Sequence, residues 1–506
     1  MSKNDTFVST KYGKLEGVIR NGVFVFKGIP YAAPPVGNLR WMPPASPKAW
    51  NGVRDSREYG AISLQTLMPE SGLAPSFKDQ EQSEDCLFLN IWTPGLDNRR
   101  RPVFFWIHGG AFIIGAGTEN FLEDGLLAKR GNIVVVSINY RLGALGFLNL
   151  NEITNGKIPA TGNEGLLDQI AALEWVQENI EAFGGDPDNV TISGFSAGGM
   201  SVGTLLGMPA AQGKFHKALN RSGAANIITP LENSVKMAER YLDILKLKGS
   251  DADALRDLSA PQLLDAQQKL SEKLNQGESH ATPFLPVVDR TNLPDPPMVS
   301  IKKGTVKNIP VMAGTSLDEL KAMSSMNPQM RDMDDATMLK SVEKMVSPEM
   351  APKLIAAYKE GLKNRGDVAT PSNILGSINT DMMFRIPTIK LLEAQRDNGA
   401  PSYNYLFTYK SPSMGGALGA MHGLDNPFLF GSLDPDFTGS DPELEELVLK
   451  IQDSCAAFCL TGDPSCETAG EWPVYGNDRM TMIFDRNSRV EAAPYERERA
   501  AWDDYE

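Results

Sequence analysis

Cysteine is scarce in this chain, four in 506 residues, and histidine equally so. Cys86, Cys455, Cys459 and Cys466 could in principle close two bridges. The amino end, MSKNDTFVSTKYGKLEGV, lacks the apolar core of an export signal, so reduced thiols and a cytoplasmic protein are expected. Cys455 and Cys459 stand four apart in an apolar helical pattern, which reads as a packed face. No hydrophobic run is long enough for a membrane span: the most apolar stretches, around Val103–Ile114 and Ile133–Leu150, are broken by His108, Asn139 and Arg141. Basic excess is missing too. A formal charge of -14 argues against nucleic acid, which needs clustered Lys and Arg, and favours solubility. No linker, repeat or low-complexity block divides the chain, so one domain over 1–506 is expected. No HExxH helix and no dinucleotide fingerprint occurs, so neither metal nor organic cofactor is expected. The chain as a whole is 42% hydrophobic and 22% charged, with a mean hydropathy of -0.25, the make-up of a soluble globular protein with a large core.

One stretch is unusual. TISGFSAGGM, residues 191–200, holds Ser196 between Gly194 and Gly198. A hydroxyl lifted out of the fold needs a tight strand-to-helix turn, where neighbouring side chains would collide, and glycine relieves that collision. Gly194-Phe195-Ser196-Ala197-Gly198 fits a G-x-S-x-G nucleophile elbow, which requires a buried strand before it and a helix after it. Asn189–Ile192 is a short β-prone run after the turn residues Gly185–Asp188, and the residues from Ala197 on are small and apolar. An ordinary Gly/Ser turn would look the same over five residues, so the rest of the chain must decide.

The pattern along the chain alternates strand and helix. Val103–Ile107 and Ile133–Ile138 are continuous apolar runs, as in strands buried on both faces. Apolar residues recur at helical spacing from Gly165 to Phe183. A strand is expected at Phe215–Ser222, helix from Ser234 to Lys273, a core strand at Ile309–Ala313, and helical stretches from Ala336 to about Arg396. A strand at Tyr403–Tyr409 and a helix at Leu444–Leu460 come after them. Such alternation implies one mostly parallel, twisted sheet with helices on both faces, an α/β fold.

A serine hydroxyl attacks only when a base takes its proton, and that base is oriented by a carboxylate. Of the four histidines, His108 lies in Ile107-His108-Gly109-Gly110, His216 starts a strand, and His280 sits in a polar, solvated loop. His422, in the glycine-rich Gly419–Gly423 after the late strand, is the best candidate. Chains built around this elbow order their groups nucleophile, acid, base, which places the acid between Ser196 and His422 at the end of a strand. Asp318 and Glu319, directly beyond the strand at Ile309–Ala313, both qualify. Backbone N–H groups after the strand Val103–Ile107, at His108-Gly109-Gly110-Ala111, together with that of Ala197, could hold an oxyanion.

Taken together, the residues match a known pattern. Phe26–Ala32 with Arg40-Trp41, Ser83–Asn90, His108–Phe112, Asn163-x-Gly165 with Leu167–Gln169, Phe183–Pro187, Gly194–Gly199 and Gly419–His422 stand in the order found in type-B carboxylesterases. Over nearly its whole length the chain resembles that family, which includes bacterial para-nitrobenzyl-esterase-like enzymes and the cholinesterases. The resemblance implies an α/β-hydrolase fold, with helical insertions at about 231–275 and 318–400 forming a cap over the active-site gorge. It implies Ser196 as nucleophile, Glu319 as the acid, His422 as general base and acid, and Gly109, Gly110 and Ala197 as oxyanion donors. Substrates would be small carboxylic esters of short to medium acyl chain, aryl and benzyl esters included, cleaved through an acyl-serine by a monomer or small homo-oligomer.

The departures from the family pattern bear on specificity. Cholinesterases carry a glutamate where this chain has Phe195, which makes choline esters poor candidates. Exported relatives pair the cysteine matching Cys86 with one slightly upstream, but Ala61–Asp85 contains none, so Cys86 is expected to be a free, buried thiol. Relatives often have a glutamate at Asp425 and an apolar residue at Asn426, and this loop is expected to border the pocket. Ile113 and Ile114 either narrow the acyl side or pack beneath the oxyanion loop. Two other readings use the same residues: a serine hydrolase for carbamates, amides or long-chain lipids, and a catalytically silent binding protein. The intact set Ser196, Glu319 and His422 disfavours the second.

Overall fold

The computed structural model describes residues 6–66, 77–276 and 282–505. Its contacts divide the chain into two compact units. One comprises the chain up to Leu219 with Ala225–Val306; the other comprises Asn220–Ala224 with the chain from Lys307 on.

In the first unit the sheet runs in the order Val18–Arg20, Val23–Pro30, Phe88–Thr93, Val134–Ile138, Arg101–Ile107, Gly185–Phe195. Its first three neighbour pairs are antiparallel and its last two parallel. All residues of Arg101–Ile107 and Val134–Ile138 are buried, as unbroken apolar runs should be in a sheet covered on both faces. The turn expected at Gly185–Asp188 lies inside a strand that begins at Gly185. The pairing with Arg101–Ile107 shifts register between Gly185 and Val190, so the polar residues bulge out of the ladder while the strand continues. Helix Glu164–Asn179 begins one residue earlier than the apolar period suggests and ends in a 3-10 turn at Ile180–Phe183. Helices Leu231–Leu245, Ala252–Arg256 and Ala260–Gln276 fill the region expected to be helical from Ser234.

In the second unit, Val311–Ser316, Ser402–Phe407 and Met480–Phe484 pair in parallel, and Arg489–Ala492 closes the edge antiparallel. The strand expected at Ile309–Ala313 begins after Pro310, which has no N–H to give the ladder. Helices from Lys321 to Asp397 occupy the long connection before Ser402. Two of them, Pro371–Thr380 and Ile386–Asp397, are joined by a π-helical turn at Asp381–Arg385. The late helix runs Leu444–Thr461.

None of the four cysteines is in a disulfide; Cys86, Cys455 and Cys459 are buried, and burial pushes the Cys86 thiol up to about 12, where it is inert. Among the described residues no helix is long and apolar enough to cross a membrane.

Candidate active site

Ser196 sits where the strand Gly185–Phe195 turns into helix Ala197–Leu205, every residue of which is buried. Its backbone, at φ 56 and ψ -123, is a conformation that L-residues rarely adopt. The two flanking glycines make this possible by contact. A Cβ on Gly198 would lie 2.0 Å from the Ile107 carbonyl oxygen, and one on Gly194 would lie 2.3 Å from the Gly198 carbonyl carbon. The elbow is therefore clamped on the end of the central strand Arg101–Ile107, with the hydroxyl at the start of a helix where the first N–H groups have no helical partner.

The same strand end leads into the glycine loop. A Cβ on Gly109 would meet the Phe195 carbonyl at 2.8 Å and the Ser196 Cβ at 3.0 Å, so this peptide lies directly against the serine. Beyond Gly110, Ala111 and Phe112 both take left-handed backbone angles, and the N–H groups of Ile113 and Ile114 both donate to the Gly110 carbonyl at 3.0 Å. Gly109, Ser196 and Ala197 are thus brought together, with Gly110 as the next peptide of the loop. Phe195, Ile113 and Ile114 are half-buried beside them.

His108 belongs to the support of this loop. Its Nδ1–H donates to the Gly109 carbonyl at 2.7 Å, its ring stacks on Tyr140 at 4.4 Å between centroids, and the Tyr140 hydroxyl donates to the His108 carbonyl at 3.1 Å. Burial lowers its pKa to about 4, so the imidazole is neutral. His216 is also held structurally, accepting the Val190 N–H on Nδ1 at 3.1 Å. His280 lies outside the described residues.

In the second unit, the chain leaving strand Val311–Ser316 meets the Gly419–Gly423 loop. The Asp318 N–H donates to the Ala420 carbonyl at 3.0 Å, and the His422 N–H donates to the Glu319 carbonyl at 3.3 Å. The two carboxylates then separate in role. Asp318 accepts the Ala420 N–H at 3.0 Å and so staples the loop. Glu319, fully buried, accepts the Ser316 N–H on one oxygen at 2.7 Å and takes His422 Nδ1 on the other at 2.6 Å. The proton on His422 is thereby fixed at Nδ1, which makes Nε2 the basic nitrogen. Of the adjacent pair that sequence chemistry leaves open, Glu319 is the carboxylate that meets His422.

Three residues that the sequence does not single out complete the surroundings. Phe384, in the π turn, packs its ring 5.0 Å from that of His422; π turns often serve functional sites. Arg221 and Tyr405 engage Asp425, which is buried rather than open to solvent: Arg221 Nη2 donates to its Oδ2 at 2.6 Å, and the Tyr405 hydroxyl does so at 3.3 Å. No local sequence signal marks Arg221, which ends the buried strand Lys217–Arg221. Nothing local marks Phe384 except Pro387, which cannot donate to the Met383 carbonyl and so weakens the α ladder there.

Comparison with known proteins identifies the family. The carboxylesterase family profile matches residues 4–502. The chain is 38% identical to the para-nitrobenzyl esterase of Bacillus subtilis, with 96% of each chain covered. It is 33% identical to the phenmedipham hydrolase of Pseudarthrobacter oxydans, again over 96% of each. A crystal structure of a Geobacillus stearothermophilus carboxylesterase superposes with a TM-score of 0.86 at 38% identity, covering 98% of this chain and all of that one. With a serine on a strained elbow, a buried glutamate on a histidine, and these relatives over its full length, the chain belongs to the carboxylesterase family, with its α/β-hydrolase fold.

Proposed function

We propose that this carboxylic ester hydrolase works through Ser196, His422 and Glu319. The observation that carries the reading is the Glu319 carboxylate on His422 Nδ1 at 2.6 Å, which sets the imidazole tautomer a serine base requires. The Ser196 hydroxyl attacks the ester carbonyl and its proton passes to His422 Nε2. The oxyanion is held by the N–H groups of Gly109, Gly110 and Ala197, each such donor lowering the barrier by roughly 3 kcal/mol. His422 then protonates the leaving alcohol, and the acyl group stays on Ser196. Water, deprotonated by the same histidine, attacks the acyl-serine and releases the acid.

In this reading the whole chain is one α/β-hydrolase domain, with 231–275 and 318–400 as helical insertions bordering the substrate. Phe195, Ile113 and Ile114 form an apolar surround suited to uncharged acyl or aryl groups, and the residue before the serine is not acidic, which leaves a cationic group without a partner there. Short to medium esters, benzyl esters included, fit that surround. Free cysteines, three of them buried, fit a cytoplasmic enzyme.

The test is hydrolysis of a para-nitrophenyl acyl series from acetate to palmitate by wild type and Ser196→Ala, with intact mass after an organophosphate. The expected result is cleavage of the short chains and one adduct in wild type, with neither in the variant and a loss on the order of a million-fold in turnover. An adduct on the variant, or turnover within tenfold of wild type, refutes Ser196 as nucleophile.

A further inference from the structure

Three residues beyond His422 the chain buries a charge pair. Asp425 opens the short helix Asp425–Phe430 at 1% exposure, and its partner Arg221 is 3% exposed. The pair is not bidentate: Arg221 Nε and Asp425 Oδ1 are buried with no hydrogen-bond partner among the described residues. The Tyr405 ring lies 5.8 Å from the guanidinium carbon and its hydroxyl reaches Asp425 Oδ2. A buried pair with half its hydrogen bonds unmade is a poor source of stability, because desolvation offsets the attraction.

Its placement suggests another role. Arg221 ends the strand Lys217–Arg221, and the N–H of the next residue, Ser222, donates to the Gly314 carbonyl in the strand that runs into Glu319. Asp425 comes three residues after His422. The two charges are therefore fixed to the segments that carry the acid and the base. A guanidinium cannot lose its proton in a protein. Unmasked, it would weaken the field of Glu319 and oppose formation of the His422 imidazolium. Other titratable groups also face this corner. Asp318 holds the Ala420 N–H, Lys321 lies along Gly419, Asp381 pairs with Arg385 beside Phe384, and the Cys455 thiol near Arg221 is pushed up, hence neutral.

We propose that Asp425 is a positioning residue whose carboxylate cancels the fixed charge of Arg221, so that His422 can take up a proton during turnover. This rests on His422 being the general base.

The experiment is the pH profile of kcat/KM on a short para-nitrophenyl ester for four variants. Asp425→Asn keeps the shape and leaves Arg221 uncompensated: the acid limb moves to lower pH by about one unit and plateau kcat drops about tenfold. Asp425→Glu keeps the charge and the wild-type limb. The double variant Arg221→Met with Asp425→Asn, with both charges gone, returns the limb to its wild-type position. An unmoved limb in Asp425→Asn, or a double variant that keeps the shift, overturns the proposal and reduces the pair to packing. If Asp425→Asn does not fold, Arg221→Met decides. With the cation gone its limb stays in place or rises, and a fall overturns the proposal. A fully active His422→Ala would instead remove the reading beneath it.

Discussion

Asp318 and Glu319 are neighbours with the same functional group, and one turn of chain gives them different work. Asp318 accepts a backbone N–H from the loop that carries the histidine, whereas Glu319 accepts the histidine itself. The difference is measurable. Glu319→Gln should lower kcat by roughly a thousand- to ten-thousand-fold, because an amide cannot stabilise the imidazolium and favours the wrong tautomer. Asp318→Asn retains an oxygen acceptor for the Ala420 N–H and should stay within about tenfold of wild type. Comparable losses for the two in steady-state assays would mean that the carboxylates share the task. Residue chemistry alone narrows the acid to this pair and no further, since choosing between them depends on a turn geometry that composition does not encode. Ser196, Gly109 and His422 are legible because elbow, glycine loop and late histidine each have a local steric or chemical reason.

The elements around the site depend on close backbone approach. Helix Ala197–Leu205 lies so near the central strand that Gly198→Ala would place a methyl 2.0 Å from the Ile107 carbonyl oxygen. That substitution should abolish activity and soluble expression. Gly213→Ala is the control: it has a positive φ of 76 but open space around it, and should cost only about 1 kcal/mol in denaturant melts. If both behave alike, the elbow is less tightly clamped than its contacts imply. Strands such as Val134–Ile138 are readable from unbroken apolar runs, and helix Glu164–Asn179 from its 3.6-residue period. The π turn at Asp381–Arg385 is not, because one extra residue in a helix leaves the apolar pattern nearly intact while rotating the next turns of the helix. Phe384, the residue beside His422, lies within that turn.

Across the whole molecule the formal charge is -14, and some of the acids that contribute to it are buried. Glu119, accepting from Trp106 Nε1 at 3.2 Å, is raised by burial from 4.5 to about 8. A group whose folded pKa exceeds its unfolded value adds stability that is complete below the unfolded pKa and lost as pH rises through the folded one. Buried neutral His108 acts oppositely, reducing stability as pH falls from 6.5 towards 4. Between pH 6.5 and 8 the Glu119 effect stands alone of the two and should lower unfolding free energy by about 2 kcal/mol. Glu119→Gln should flatten that slope in chemical denaturation; an unchanged slope assigns it to other groups. The division into two units has no signature in the sequence. Asn220–Ala224 joins the later unit while residues on both sides join the earlier one, so the chain crosses between units without any linker composition to betray it.

The backbone bonds between Asp318–Glu319 and Ala420–His422 also bear on how this chain can change over time. They tie off everything between as a closed excursion whose ends meet irrespective of its path. The entropy of closing such an excursion grows only with the logarithm of its length, about 0.6 kcal/mol per doubling. Closure entropy therefore sets little limit on the length of the helices from Lys321 to Asp397, and changes in their number or size can leave Glu319 and His422 in register so long as the turn that carries Phe384 is kept.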